Sequence, residues 1–352
     1  IAPGAARAAS RRTAAGAARA ASRRTAPGAA RAGSRQTRRP AAPAARRPAA
    51  TRTEAFPRPD AKKLYTSFLE IVRRTSADLP RDVLAAIEAG RAREADGSNA
   101  RWAMEVIGEN ITMAREKSAP LCQDTGTIIF YINAPRGYDE KQLRTAAEQA
   151  VAEATRVGYL RQNSVDSLSG RNTGNNLGAG SPVFHFHQWD GPGMQVRLIL
   201  KGGGCENVGV QYSLPDGRLG ADRDLAGKGK CILDAAFQAQ GKGCGPGVLG
   251  VCVGGDRATG YVQSKEQLLR PLDDTHPEPA LAALESSVVD KANRLGIGPM
   301  GFGGATTLLG CKIGALNRLP ASFFVSISYM CWAFRRQGAD LRPDGTIAGW
   351  LY

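Results

Sequence analysis

The stretch Ala119-Pro120-Leu121-Cys122-Gln123-Asp124-Thr125-Gly126 runs directly into Thr127-Ile128-Ile129-Phe130-Tyr131-Ile132. A soft thiol, an amide and a carboxylate stand side by side. A Thr-Gly turn follows, and then a short apolar run with the character of a buried strand. A thiolate in a loop at the mouth of such a strand suits a cluster or a catalytic site. Taken alone, Cys122 is an inert buried thiol, because free Cys is among the most buried residue types. Gln123 and Asp124 taken alone are turn residues. The functional reading depends on what else converges on Cys122.

Working outward, helical and extended patterns alternate. Before the quoted stretch the pattern from Asp60 to about Lys117 is helical. Leu64, Phe68, Ile71 and Val72 recur at helical spacing, and Asp82–Ala89 and Asn99–Arg115 are two further amphipathic stretches. After the strand at Thr127–Ile132 comes a helix at Asp139–Val157 and then a Gly- and Asn-rich loop, 170–176. Strands are expected at Val183–Gln188, Gln195–Leu200, Val248–Val253, Leu308–Leu316 and Phe323–Met330. Helices are expected at Lys230–Gln240 and over 264–295, the latter broken at Pro277 and Pro279. The fold class is therefore mixed α/β (α+β): a helical N-terminal part packed on a mixed sheet. The expected division is a tail at 1–53, one large domain at 54–345 and a C-terminal end at 346–352.

The net charge of +15 suggests nucleic acid, but its distribution removes the suggestion. Residues 1–53 hold 13 Arg and no acid, which leaves 34 basic against 32 acidic residues, or +2, for 54–352. The tail repeats with period twelve: APGAARAASRRT (2–13), AAGAARAASRRT (14–25), APGAARAGSRQT (26–37). That period fits neither a heptad nor a common solenoid unit. Ala, Arg, Gly, Ser and Pro cannot bury a core, so the tail is read as disordered. Its composition is that of a transit peptide; a mis-assigned start is the plainer reading, favoured by the missing initiating Met. No apolar run approaches the roughly 18 residues of a membrane span. A binding role for nucleic acid would rest wholly on the tail.

There are seven Cys and no C-x-x-C pair, which argues against a zinc ribbon or a thioredoxin-type site. An odd count in a long chain without a secretory signal argues against a disulfide framework and for reduced, cytoplasmic thiols. Cys122, Cys244 and Cys331 share a setting at strand edges, where loops deliver ligands. Three thiolates can hold a four-iron cluster with one iron open as a Lewis acid, although the gaps of 122 and 87 residues match no local motif. Cys231, Cys252 and Cys311 read as core. Cys205, in a glycine-rich loop, reads either way. Lys201-Gly202-Gly203-Gly204 could offer backbone amides to an anion or be a flexible turn, and Gly301-Phe302-Gly303-Gly304 is a similarly weak motif. Arg161 is a surface Arg or a carboxylate clamp. His185 and His187 share one strand face and read as a polar sheet face, while His276 carries no signal.

Together APLCQDTGT (119–127), LRQNS (160–164), NTGNN (172–176), KGGGCENVG (201–209), CGPGVLGVCVGG (244–255), GIGPMGFGG (296–304) and PASFFVSISYMCWAFRR (320–336) resemble the α subunit, or N-terminal domain, of class I iron–sulfur hydro-lyases. That family contains class I fumarate hydratase and L-tartrate dehydratase. The resemblance covers about 58–340. It implies that Cys122, Cys244 and Cys331 hold a [4Fe–4S] cluster whose fourth iron takes the substrate. It implies that Gln123 and Asp124 are catalytic and that Arg161, Lys201, Gly203 and Gly204 bind a C4 dicarboxylate. Fumarate and malate are the expected substrates and tartrate the alternative; a non-catalytic iron–sulfur sensor is the rival from another class. A β subunit or C-terminal domain, an oligomer of αβ units and a place in the cytoplasm are implied as well, and the end at Tyr352 makes a fragment of a longer enzyme the other expectation. One departure stands out. Members commonly carry a His before the last cluster Cys, and here Leu319 takes that position.

Overall fold

Asp60 caps the first helix by accepting the Lys63 amide, and α1 (Ala61–Ala77) then presents Leu64, Phe68, Ile71 and Val72 as one buried stripe. The computed structural model describes residues 58–352; the expected tail at 1–53 lies outside the described residues. Two more helices follow, α2 (Arg81–Arg93) and α3 (Asn99–Lys117), the second capped by Ser98.

β1 (Thr127–Ala134) opens a five-stranded mixed sheet. The sheet is completed by β2 (Val183–Gln188), β3 (Met194–Lys201), β8 (Arg336–Leu341) and β9 (Ile347–Trp350), in the order β2-β1-β3-β8-β9. β1 runs parallel to β2 and antiparallel to β3. Between them α4 (Glu140–Arg156) starts at Asp139, whose side chain accepts the Lys141 and Gln142 amides. Ile128, Phe130 and Ile132 face α1 and α4, together with Met194, Val196, Leu198 and Leu200 of β3. Phe68 meets Phe130 edge-on at 5.6 Å. Each such side chain contributes roughly 1.5–3 kcal/mol on burial. The alternate residues Ile129, Tyr131 and Ile199 face the opposite way, onto α2 and α3.

After the short helix α5 (Gly203–Asn207), a second sheet, in the order β4-β7-β5-β6, comprises β4 (Val210–Ser213), β5 (Gly247–Val253), β6 (Leu308–Ala315) and β7 (Phe324–Met330). α6 (Leu225–Ala239) and α8 (Pro279–Asn293) contribute Ile232, Ala236, Leu284 and Val288 to the core over its outer face, against Leu249, Val251, Ile313, Val325 and Ile327. α7 (Arg257–Gln267), started by a capping box of Asp256 and Thr259, packs against its inner face. The helix approaches β5 so closely that a Cβ on Gly250 would stand 2.2 Å from the Ser264 carbonyl oxygen. Helices therefore cover the outer face of each sheet, and α2, α3 and α7 fill the space between the sheets.

Four expectations are revised in detail. The helix expected from Lys230 begins at Leu225, because Asp224 caps it by accepting the Gly227 amide at 2.7 Å. The helical stretch over 264–295 resolves into α7 and α8. β4 and β8 are additional strands, and β8 carries Arg336 and Gln337 into the core at 0% exposure. The residues set apart as a C-terminal end include β9, the sheet edge, and the Leu351 amide bonds the Gly338 carbonyl at 2.8 Å. Among the described residues no helix is long and apolar enough to cross a membrane.

This topology brings four loops to one place. β5 and β7 are antiparallel, with Val248 opposite Met330, so Cys244 before β5 and Cys331 after β7 are neighbours. The Trp332 amide bonds the Cys244 carbonyl at 3.3 Å. Thr127 pairs with Lys201 across β1 and β3, so the Cys122 loop faces the glycine triplet that leaves β3. The Leu200 amide bonds the Arg335 carbonyl at 3.0 Å, joining the two groups.

Candidate active site

The Cys122 loop is fixed from beneath. The Leu121 amide bonds the Ser76 carbonyl at 3.0 Å, and Asn110 donates to the Leu121 carbonyl at 2.9 Å. Cys122 is half-buried, with its thiol 3.7 Å from the Gln123 side-chain oxygen, and Gln123 is exposed. Asp124 accepts from the Gly203 amide at 2.7 Å and from the Asn163 amide group at 3.0 Å. Gly126 makes the close approach to β3 possible: its φ is +76°, and a Cβ there would lie 2.4 Å from the Lys201 carbonyl carbon.

Arg161 is held by its backbone. Thr125 Oγ1 donates to the Arg161 carbonyl and accepts the Arg161 amide, both at 2.9 Å. Asn176, 2% exposed, donates to the same carbonyl at 2.8 Å and accepts the Asn163 and Ser164 amides. The Arg161 residue is exposed. Asp124, Gly126, Asn163, Asn176 and Gly203 line a 280 Å³ hollow. A larger hollow of 960 Å³ behind the Arg161 loop is lined by Lys62, Tyr65, Glu153, Arg156 and Asn175, without a thiol, so size does not pick out the chemistry.

Cys244 is exposed and takes a left-handed conformation, φ +51°. Such a backbone on a residue with a Cβ stores strain of order 1–3 kcal/mol and is characteristic of functional positions. Burial of the sulfur raises its pKa, and the negative charges of Cys205, Cys122 and Asp124 raise it further. Cys331 is buried against Cys205. A hydrogen bond from the Cys331 thiol, helped by Lys201 and Arg335, brings the Cys205 thiol down to about 7 against its burial. That same bond and its own burial push Cys331 up. Lys201 is fully buried, 3.3 Å from a Glu206 oxygen, and the other Glu206 oxygen pairs with Lys265 at 2.6 Å. Burial lowers the Lys201 pKa, and Glu206 opposes that shift.

The three sequence-predicted cysteines thus meet at one end of the two sheets, with Gln123, Asp124, Gly203 and Gly204 beside them. Arg161 is exposed on the loop that also carries Asn163, and Lys201 lies beneath the surface. Asn163, Asn176 and Arg335 join the site without having been singled out, and Cys205, which read either way, lies against Cys331. All three lie in quoted motifs, Asn163 in 160–164, Asn176 in 172–176 and Arg335 in 320–336, but nothing in the residues alone marked them for a site role. Among the described residues no three His, Cys, Asp or Glu side chains close around a single metal ion. A cluster places each thiolate on a different iron and needs wider spacing, so the convergent soft donors suit it better than one ion. Buried, unpartnered Arg335 also suits an anionic group. Leu319 is 72% exposed and stands at the far end of β7 from Cys331, roughly 20 Å away at about 3.3 Å per residue. It does not line the cysteine site of its own chain. His185 stacks on Tyr131 at 4.7 Å and His187 lies 3.4 Å from Glu266, which makes that strand face polar and partnered.

Comparison with known proteins agrees with this geometry. The family described as fumarate hydratase (Fumerase) matches residues 66–340. A Geobacillus stearothermophilus protein named as a class I fumarate hydratase is 53% identical over 295 residues, 83% of this chain and 57% of that protein. A Methanocaldococcus jannaschii protein named as an L(+)-tartrate dehydratase α subunit is 31% identical over 292 residues, 81% of this chain and 100% of that protein. The L(+)-tartrate dehydratase α subunit of Escherichia coli K12 is 31% identical over 244 residues, 68% and 78% of the two chains. The chain therefore spans little more than half of the Geobacillus relative. The match over 66–340 covers most of its length and every loop of the cysteine site, and the chain belongs to the fumarate hydratase (Fumerase) family.

Proposed function

We propose that this chain is the cluster-binding α part of an iron–sulfur hydro-lyase that interconverts fumarate and malate. The observation that carries the reading is the meeting of Cys122, Cys244 and Cys331, from three distant loops, beside Asp124 and the glycine triplet. These cysteines would hold a [4Fe–4S] cluster. When bound, it would supply Lewis-acid polarisation of the substrate hydroxyl. Arg161 would pair with a substrate carboxylate. Lys201, Gly203 and Gly204 would shape the substrate subsite: the Gly203 amide is taken by Asp124, and Lys201 is ion-paired to Glu206. Asp124, with both oxygens engaged, would hold or move a proton at the reacting centre, with Gln123 orienting the substrate beside it.

The α-subunit names of two relatives, and the part of the Geobacillus protein beyond this chain, support a β subunit or C-terminal domain as partner. The working unit would be an oligomer of αβ pairs in the cytoplasm. L-tartrate is the second substrate reading, because the chain spans the whole of the Methanocaldococcus α subunit. The test is anaerobic reconstitution with iron and sulfide, then assay with the β partner on fumarate, malate and L-tartrate. One cluster per chain and fumarate hydration are expected. A cluster with no turnover of any of the three would favour the sensor reading, and no cluster would overturn the proposal.

A further inference from the structure

Two adjacent arginines are treated in opposite ways. Arg336, 0% exposed, is paired with Asp82, donates to the Leu268 carbonyl, and stacks on Phe334 and Tyr352. Arg335, 1% exposed, has no hydrogen-bond partner at Nε, Nη1 or Nη2. Its backbone is held rigidly, the amide by Ala333 at 2.8 Å and the carbonyl by Leu200 at 3.0 Å. Its guanidinium points into the cysteine site. Nη2 lies 3.9 Å from the point above Gly202 that a Cβ would occupy, and Asp124 Oδ2 lies 3.1 Å from the same point. The same segment carries Cys331, four residues before it.

A buried cation without a partner is costly, and it persists in a fold when the finished assembly supplies an anion. Lys201 and Arg336, buried cations on neighbouring strands, are ion-paired to Glu206 and Asp82. We propose that Arg335 is a positioning residue whose counter-charge is the cluster–thiolate assembly itself. Its guanidinium neutralises the anionic group on Cys122, Cys244 and Cys331, retains it, and raises its reduction potential. This rests on the cluster reading above. The electrostatics are direct: a fixed positive charge in a low-dielectric site stabilises the more negative, reduced state.

The experiment compares the full chain with Arg335→Met, Arg335→Gln and Arg335→Lys, each reconstituted anaerobically. Three quantities are read: iron per chain, rate of iron release to a chelator, and cluster reduction potential by a spectroscopically followed titration. Stability of the iron-free proteins is measured alongside. Met and Gln are expected to shift the potential negative and to release iron at least tenfold faster, while Lys stays near wild type. The iron-free Met variant should be at least as stable as the iron-free wild type, because an uncompensated buried charge has gone. Unchanged potential and release rate in both Met and Gln, with lowered iron-free stability, would make Arg335 a packing residue and overturn the inference. Should Met fail to fold, Gln and Lys decide by the same readouts. If the wild type itself takes up no iron, the cluster reading fails first and this assignment with it.

Discussion

The Asp124 carboxylate accepts the Gly203 amide at 2.7 Å across 79 positions of sequence. This bond ties the cysteine loop before β1 to the glycine triplet after β3. Asp124→Ala should cost about 1–2 kcal/mol in urea unfolding of the iron-free protein, since a charge-assisted bond is lost at a half-buried site. Unchanged stability would mean that the two loops are held together by something else.

The cysteines divide into two classes. Serine at Cys122, Cys244 or Cys331 should each abolish iron uptake, measured as iron and sulfide per chain. Cys252 and Cys311 lie in β5 and β6, where burial pushes the first up to about 11 and the second higher still. Alanine at either should leave iron content unchanged and lower stability by about 1 kcal/mol or more, through the cavity left behind. Iron loss in Cys252→Ala alone would redraw the ligand set.

Cys244 sits at φ +51°, where a side chain is strained. In the iron-free protein Cys244→Gly should therefore be more stable than Cys244→Ala by about 1 kcal/mol, although both lose the thiol. Equal stabilities would show that the left-handed geometry relaxes without its ligand.

Asp82 and Arg336 form a buried pair, and Asp82 also accepts the Leu272 amide at 2.7 Å. Asp82→Ala strands a buried guanidinium and should cost about 3–5 kcal/mol. The double variant Asp82→Leu/Arg336→Met should recover much of that. Thermal and urea unfolding of Asp82→Leu, Arg336→Met and the double variant measure the coupling; additive losses would refute it.

Burial lowers the pKa of His185 below its ordinary 6.5, more than Glu266 raises it, while His187 and Lys265 lower it further. The folded state thus favours the neutral ring. Its contribution is full above about pH 6.5 and declines as pH falls toward the lowered folded value. His185→Phe keeps the stack on Tyr131 and should flatten that part of the pH dependence. Urea midpoints at pH 7.5 and 5.5 for both proteins make the comparison, and an identical pH shift in the variant would sink the idea.

Much of the architecture was legible in the residues because periodicity records which face is buried. Leu64, Phe68, Ile71 and Val72 announce α1, and the alternation of Ile128, Phe130 and Ile132 with Ile129 and Tyr131 places β1 between two layers. β8 was illegible for the converse reason: its Arg336 and Gln337 look exposed until Asp82 and the neighbouring strands bury them. The start of α6 was missed because its signal is a cap, Asp224, and not an apolar stripe.

For the site the division is sharper. The sequence by itself determined the donor types and the loops that carry them, and motif resemblance set three of the seven cysteines apart as a group. Only the tertiary structure decided that Cys205 lies against Cys331, that Asn176 anchors the Arg161 backbone, and that Leu319 stands at the wrong end of β7. It also separated Arg335 from Arg336. Two identical neighbours in sequence differ because one meets a carboxylate and two rings while the other is buried near thiols with no hydrogen-bond partner for its guanidinium. Local chemistry is written residue by residue; the sign and strength of an electrostatic environment depend on groups that only folding brings within a few ångströms.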